Sequence, residues 1–259
     1  MSKAPLGCRY PDVTGRTIRT RQDPLDALDR LAEDPGRAAL FLDVDGVLAP
    51  IVPRPEDARV PDEMRDELRR LNARYALVAC ISGRSGADAR RVVGIPELLY
   101  VGNHGLELDG RAAEWRERIQ QFLADVNWPA TENKGLTASL HYRRSENEST
   151  ARTALQGVKD RAERAGLVAR FGRKVLEVLP PLDVHKGTAV TKLLADRNLR
   201  RALYAGDDTT DLDAFRALDG LDVSVRIAVV SNEGPAELRD AADLTVGRPE
   251  ELLAVLRRL

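Results

Sequence analysis

Two cysteines, Cys8 and Cys80, in 259 residues are too few for a disulfide framework, so the chain is not a stapled secreted scaffold. Cys80 lies inside an apolar run, where a small buried thiol is the ordinary outcome. No apolar stretch reaches the ~18 residues of a membrane span. Met1-Ser2-Lys3-Ala4-Pro5 lacks the apolar segment of a signal peptide, so a reducing, cytoplasmic location is expected. Neither charge is in excess: 40 Lys plus Arg stand against 41 Asp plus Glu, a formal net charge of −1. That excludes a global pull toward nucleic acid or an anionic membrane, and any anion site has to be local. Lysine itself is scarce, 6 residues beside 34 arginines, which makes each one worth examining. Internal repeats and low-complexity tracts are missing as well. What is present, 43% hydrophobic and 31% charged residues, describes a folded chain with room for one large domain or two modest ones. Oligomeric state is left open by these numbers, a monomer included.

After a polar, aperiodic stretch over 1–22, Asp23 can cap a helix starting at Pro24 with Leu25, Leu28 and Leu31 on one face. Residues 1–37 read as an N-terminal extension. The run Ala38-Ala39-Leu40-Phe41-Leu42 then predicts a buried parallel strand that ends on Asp43, Asp45 and Gly46. A helix near 61–73, a strand over 76–81, a helix from about 85 and a strand over 98–101 continue that rhythm. A hairpin through Leu106–Leu108 turning at Asp109-Gly110 is expected next. The pattern changes over 111–181: helices near 115–126 and 150–164, a strand over 137–142, and a hairpin of 167–171 with 175–179 turning at Gly172-Arg173. Two helices and three strands suggest a small α+β insert. From 182 the first rhythm resumes, with helices from 187 and near 211–218 and strands over 202–205 and 225–230. The architecture is therefore a parallel α/β core, 38–110 and 182–259, interrupted by a cap.

Asp43-Val44-Asp45-Gly46 puts two carboxylates two residues apart where ligands of parallel sheets sit, and Gly46 permits a sharp turn. One carboxylate can attack phosphorus while the other protonates the leaving oxygen and then activates water. An acidic turn or a plain cation site is the alternative. Gly206-Asp207-Asp208-Thr209-Thr210-Asp211 follows a second apolar strand with hard oxygen ligands of the kind Mg²⁺ takes, or else simply caps a helix. Two acidic strand ends in one sheet are harder to explain as capping alone, because carboxylates held close repel. Ser82, followed by Gly83, offers a hydroxyl and backbone N–H groups to a phosphate oxygen. Lys186 can add a point charge to the same oxygens.

These pieces stand in the order and rough spacing of the haloacid dehalogenase superfamily. Ile81-Ser82-Gly83-Arg84, Gly102-Asn103-His104-Gly105, Lys134 with His141-Tyr142-Arg143, Glu177-Val178 before Pro180, and Gly206-Asp207-Asp208-Thr209-Thr210-Asp211 resemble in particular the trehalose-6-phosphate phosphatases, from about residue 38 to residue 259. The resemblance implies a Rossmann-like core with an inserted α+β cap of the C2 type, Mg²⁺ dependence, and hydrolysis of trehalose 6-phosphate. By it, Asp43 is the nucleophile and Asp45 the general acid and base. The metal would be held by Asp43, the Asp45 carbonyl and Asp207, supported by Asp208 and Asp211, and Ser82 and Lys186 would grip the phosphoryl group. In the cap, Glu132, Lys134, Arg143 and Glu177 correspond to positions that reach the sugar hydroxyls. Gly83 permits close approach of the substrate phosphate, and Arg84, Asn103 and His104 lie in loops beside the strand ends, where phosphate or sugar contact and plain loop packing are equally open. His141 has no evident reach, and His185 reads as a loop histidine. The chain departs from the family pattern at Val47, Leu179 and Leu212, where Thr, Arg and Glu are common.

A phosphatase for another sugar phosphate, such as sucrose 6-phosphate or a glucosylglycerate-type ester, shares the core residues, which do not encode the leaving group. A catalytically silent carbohydrate-binding or regulatory module is the reading from a different class, and the full set of acidic and basic core residues speaks against it. A phosphomutase shares the core chemistry too, but the cap signature favours water as acceptor.

Overall fold

The computed structural model describes residues 23–143, 145–172, 174–230 and 234–259. Cys8 and the turn residue Arg173 lie outside them. The chain runs α1 (Pro24–Glu33), β1 (Ala39–Leu42), α2 (Asp62–Arg74), β2 (Leu77–Ile81), α3 (Gly86–Val93) and β3 (Leu99–Val101) into the core. The cap follows as α4 (Trp115–Ala124), β4 (Thr131–Asn133), β5 (Ala138–His141), α5 (Glu148–Arg164), β6 (Val168–Gly172) and β7 (Val175–Leu179). The core is completed by α6 (Lys186–Asp196), β8 (Arg201–Gly206), α7 (Leu212–Ala217), β9 (Val223–Val229), α8 (Ala236–Ala241), β10 (Leu244–Val246) and α9 (Pro249–Leu256).

The core sheet has six strands in the order β10-β9-β8-β1-β2-β3, every pair parallel. Alternation along β1 explains its two layers: Leu40 and Leu42 join α1, α2, α3 and α9 on one face, Ala39 and Phe41 join α6, α7 and α8 on the other. Buried on both sides, β1 must be apolar until it ends, and its first polar residue is Asp43. The chain leaves β1 toward β2 and β3 and returns on its other side as β8, so the order reverses between β1 and β8, where ligands of open α/β sheets bind. The cap is a four-stranded antiparallel sheet, β4-β5-β7-β6, packed against α4 and α5. Among the described residues no helix is long and apolar enough to cross a membrane.

Three expectations need correction. The hairpin expected at Leu106–Leu108 is a pair of 3₁₀ turns, Asn103–Leu108 and Gly110–Glu114. Asn103 and His104 take left-handed backbone at φ +52° and +56°, and the Asp109 carboxylate accepts from Arg111 N at 2.9 Å, which coils the chain instead of extending it. The cap has four strands rather than three, because β4 is the short polar Thr-Glu-Asn, which carries no apolar alternation to read. Leu25, expected on the buried face of α1, is 44% exposed, while Leu28 and Leu31 sit in the same apolar cluster as β1 and β2.

Candidate active site

β1 and β8 are hydrogen-bonded neighbours, and the Asp43 N–H continues the ladder onto Ala205 O at 3.0 Å. Their two acidic ends therefore face one another. Gly46, at φ +77°, makes this approach possible: a Cβ there would lie 2.1 Å from Asp207 Oδ2. Asp43, Asp207 and Asp211 offer carboxylate oxygens within 4.8 Å of one another. Asp211 is fully buried and already saturated. It accepts from Lys186 Nζ and Tyr204 Oη, each at 2.7 Å, and from the backbone N–H groups of Asp207 and Asp208 at 2.9 and 3.0 Å. Asp43 accepts from Val44 N and from Lys186 Nζ, both at 2.7 Å.

Burial lifts the Asp43 carboxyl to about 7, with the Asp211 charge adding to the rise against the pull of Lys186. Burial, then the charges of Asp43 and Asp211, lift Asp207 to about 9. Burial alone would lower Lys186, but Asp211 and Asp43 hold it above the ordinary lysine range, so it is a fixed cation. Two carboxylates strained toward neutrality, one ammonium that reaches Asp43 and Asp211 but not Asp207, and an open side toward solvent fit a divalent cation that binds through one or two carboxylates plus phosphate and water. Asp43 and Asp207 are the side chains able to hold it, with Asp211 behind them.

Asp45, two residues on in the same turn, is bound to Arg84 instead of Lys186. Arg84 grips it in a fork, Nε to Oδ2 and Nη2 to Oδ1, both 2.7 Å, and is itself fixed by Asp88 at 2.5 Å and Pro55 O at 3.1 Å. Ser82 is fully buried at the end of β2, with its hydroxyl accepting from Arg84 N at 3.1 Å.

An open cleft of about 910 Å³ between core and cap is lined by Asp43, Asp45, Gly83, Arg84, Lys186, Asp207 and Asp208 from the core and by Glu132, Lys134, Arg143 and Glu177 from the cap. His104 joins this lining with its Nε2 3.9 Å from Glu177 Oε1, and its Nδ1 is buried without a hydrogen-bond partner. Burial first, then the charges of Lys186, Lys134 and Arg170, hold His104 well below the usual histidine range, so the ring is neutral. Glu177 also accepts from Arg170 Nε at 2.9 Å. Glu132 accepts from His141 at 3.2 Å and lies 3.9 Å from Lys134 Nζ. Burial by itself would raise Glu132, but His141 and Lys134 outweigh it and keep the carboxylate ionised.

Ser82, Asn103 and Asp211, all expected at the site, do not line the cleft; each is buried behind it. His185 caps α6, its Nδ1 accepting from Thr188 N at 3.3 Å, which brings Lys186 to the first position of the helix. Sequence reasoning passed over Tyr204, whose signal was a tyrosine in an otherwise apolar strand: a buried phenol needs a partner, and here it is Asp211. Ile51, Val52 and Pro235 also line the cleft, with no pattern in the sequence to mark them, as does Thr210, which the Gly206–Asp211 motif contains without a role of its own.

A parallel sheet with two acidic strand ends under an inserted antiparallel cap is the layout of the haloacid dehalogenase hydrolases. The trehalose-phosphatase family profile matches residues 41–245, and the chain belongs to that family. A probable trehalose-phosphate phosphatase of Oryza sativa subsp. japonica is 30% identical over 85% of this chain and 68% of its own length. A trehalose 6-phosphate phosphatase of Zea mays is 32% identical over 85% and 69%. An uncharacterized glycosyl hydrolase of Mycobacterium tuberculosis is 33% identical over 86% of this chain, which spans only 18% of that protein. Among solved structures, the C-terminal domain of the C. albicans trehalose-6-phosphate phosphatase shares the fold at TM-score 0.68 and 22% identity, covering 91% of this chain and 95% of that one. The Aspergillus fumigatus trehalose-6-phosphate phosphatase superposes at TM-score 0.58 and 27% identity over 91% and 96%.

Proposed function

We propose that the protein hydrolyses trehalose 6-phosphate to trehalose and inorganic phosphate. The observation that carries this reading is one cleft with two unlike walls: Asp43, Asp45, Lys186 and Asp207 below, and two acids and two bases, Glu132, Glu177, Lys134 and Arg143, above. The lower wall suits a phosphate monoester. The upper wall suits a polyol, since carboxylates accept from sugar hydroxyls and cations donate to them.

Asp43 attacks phosphorus as Asp45 protonates the departing sugar oxygen, so the P–O ester bond breaks while the Asp43 O–P bond forms. Asp45 then takes a proton from water, which attacks phosphorus and releases phosphate with Asp43 restored. Arg84 engages both Asp45 oxygens; one of them leaves the fork to take up the proton and deliver it to the sugar oxygen, while the other stays held and keeps the carboxyl in place. Lys186, pinned by Asp211, keeps a positive charge beside Asp43 and the phosphoryl oxygens. Mg²⁺ held by Asp43 and Asp207, when bound, supplies the remaining charge that lets an anion approach a dianion.

Phosphate release is measured from trehalose 6-phosphate, glucose 6-phosphate and sucrose 6-phosphate, with and without Mg²⁺, for wild type and Asp43→Asn. Turnover of trehalose 6-phosphate alone, only with Mg²⁺ and lost in Asp43→Asn, is the expected result. Cleavage of another ester in preference refutes the substrate, and an active Asp43→Asn refutes the nucleophile.

A further inference from the structure

We propose that Asn103 and Thr137 form a latch that fastens the Lys134 turn of the cap to the core, so that Lys134 enters the cleft from the hinge at a reach fixed by the core. Both are positioning residues, acting through Lys134, and the inference rests on the sugar-phosphate reading above.

Asn103 is fully buried and does not line the cleft, although its neighbour His104 does. The donors go to Glu107 Oε1 at 3.1 Å and to the Lys134 carbonyl at 3.3 Å, and the Asn103 Oδ1 accepts from Thr137 Oγ1 at 2.6 Å. One buried amide thus joins a core carboxylate to both ends of a cap turn. The core side is rigid: the Glu107 carboxylate also accepts from Gly86 N at 2.8 Å and Gly102 N at 3.0 Å, and Asn103 N donates to Arg84 O at 2.7 Å. The turn closes on itself through Lys134 N to Thr137 O at 2.9 Å.

An apolar contact reinforces the polar one. Leu136, inside the turn, is buried with Leu106 and Ala112, which lead into the cap, and packs against Leu182 and Val184, which lead out of it. The turn therefore sits at the two connections about which the cap must pivot. Glu177 and Arg143 hang from the cap sheet, and Glu177 is tied to Arg170 within it. A change in cap angle moves those two groups more than it moves Lys134.

The test uses the full chain with Thr137→Val and Thr137→Ser, each alone and in a Lys134→Ala background. Steady-state kinetics are read on trehalose 6-phosphate and on para-nitrophenyl phosphate, which carries no sugar. Amide exchange is followed across residues 131–141. Thr137→Val is expected to raise KM for the sugar phosphate about tenfold, leave kcat and the aryl ester within about twofold, and add almost nothing once Lys134 is gone. Thr137→Ser restores wild-type KM. The Lys134 amide exchanges about tenfold faster in Thr137→Val while β5 and β7 keep their protection. Additivity with Lys134→Ala, equal loss on both esters, or unchanged exchange overturns the latch. If wild type ignores trehalose 6-phosphate, the functional reading falls and exchange alone decides the latch. Thr137→Ala replaces Thr137→Val, with the same outcomes, if the valine variant does not fold.

Discussion

Gly46→Ala is the sharpest single test of how the two acidic strand ends are held together. At φ +77° an L residue costs about 1–2 kcal/mol. The new methyl would stand 2.1 Å from Asp207 Oδ2 and 2.5 Å from Cγ, well inside the 3.0 Å that real Cβ contacts respect. The Asp207 backbone cannot retreat, because its N–H is bonded to Asp211 and β8 is locked between β1 and β9. Its side chain has to turn instead, at about 0.5–1.5 kcal/mol for an off-rotamer torsion. The sum, roughly 1.5–3.5 kcal/mol, lowers Tm by roughly 3–14 °C at the roughly 2–4 °C per kcal/mol of a chain this size, and leaves the protein folded. Activity suffers more, since displacing a group at the reacting centre by about 1 Å costs about a hundredfold. Thermal melts with Mg²⁺ and with chelator, beside kcat/KM on trehalose 6-phosphate, separate the two effects. Mg²⁺ raises the wild-type Tm by linkage and raises that of Gly46→Ala far less. Gly157→Ala, at an exposed position in α5 with nothing within 4 Å of the new methyl, is the control: it gains up to about 1 kcal/mol and keeps full activity. A Gly46→Ala protein with wild-type kcat/KM, or one that loses activity only as it unfolds, refutes the assignment of Asp207.

Arg84→Lys replaces a fork by a point charge, so Asp45 loses its fixed orientation and kcat falls about 10–100-fold in protein that is still folded; an unchanged kcat contradicts a role for Asp45 in proton transfer. Tyr204→Phe leaves Asp211 with three of its four donors and costs about 1–3 kcal/mol of stability in denaturant titrations; a neutral result means that Asp211 needs no phenol. Burial pushes the Cys80 thiol far above its ordinary range, so peptide mapping after iodoacetamide at pH 8 finds it alkylated only in denaturant. Labelling in the native protein would mean that β2 opens.

Much of the core was legible because it obeys periodic rules. β1, β2 and β8 contain apolar runs that give way abruptly to carboxylates or a serine, which marks where each leaves the core. Where side chains answer to a third element instead, the pattern is silent. β4 carries two cleft residues' worth of chemistry around a polar tripeptide whose only reason to be extended is β5. Asn103 looked like a loop residue beside the site, and its sequence neighbours say nothing of Thr137, 34 residues on. The same applies to Ser82: its residue type marked it for phosphate contact, but only packing decides that it lies behind the cleft wall, whereas Asp211 supports from behind as expected.

The charges of the site explain why core and cap divide the work as they do. Asp45 is matched by Arg84, and Asp211 by Lys186, Tyr204 and two backbone N–H groups. Lys186 is thereby split between Asp211 and Asp43, and among the described residues no ion pair reaches the Asp207 carboxylate. The shortfall of positive charge is concentrated on the two carboxylates that face each other across Gly46, and burial leaves them titrating near neutrality or above. A phosphate monoester brings two further negative charges to the same point, so the core cannot bind it on its side chains alone and must recruit a cation. The cap adds no net remedy, since Glu132 and Glu177 offset Lys134 and Arg143. Its balanced wall instead suits a neutral, hydroxyl-rich leaving group, and an anionic one would meet as much repulsion as attraction there. Discrimination among phosphate esters is therefore expected to reside in the cap, and loss of metal is expected to abolish turnover of every ester alike.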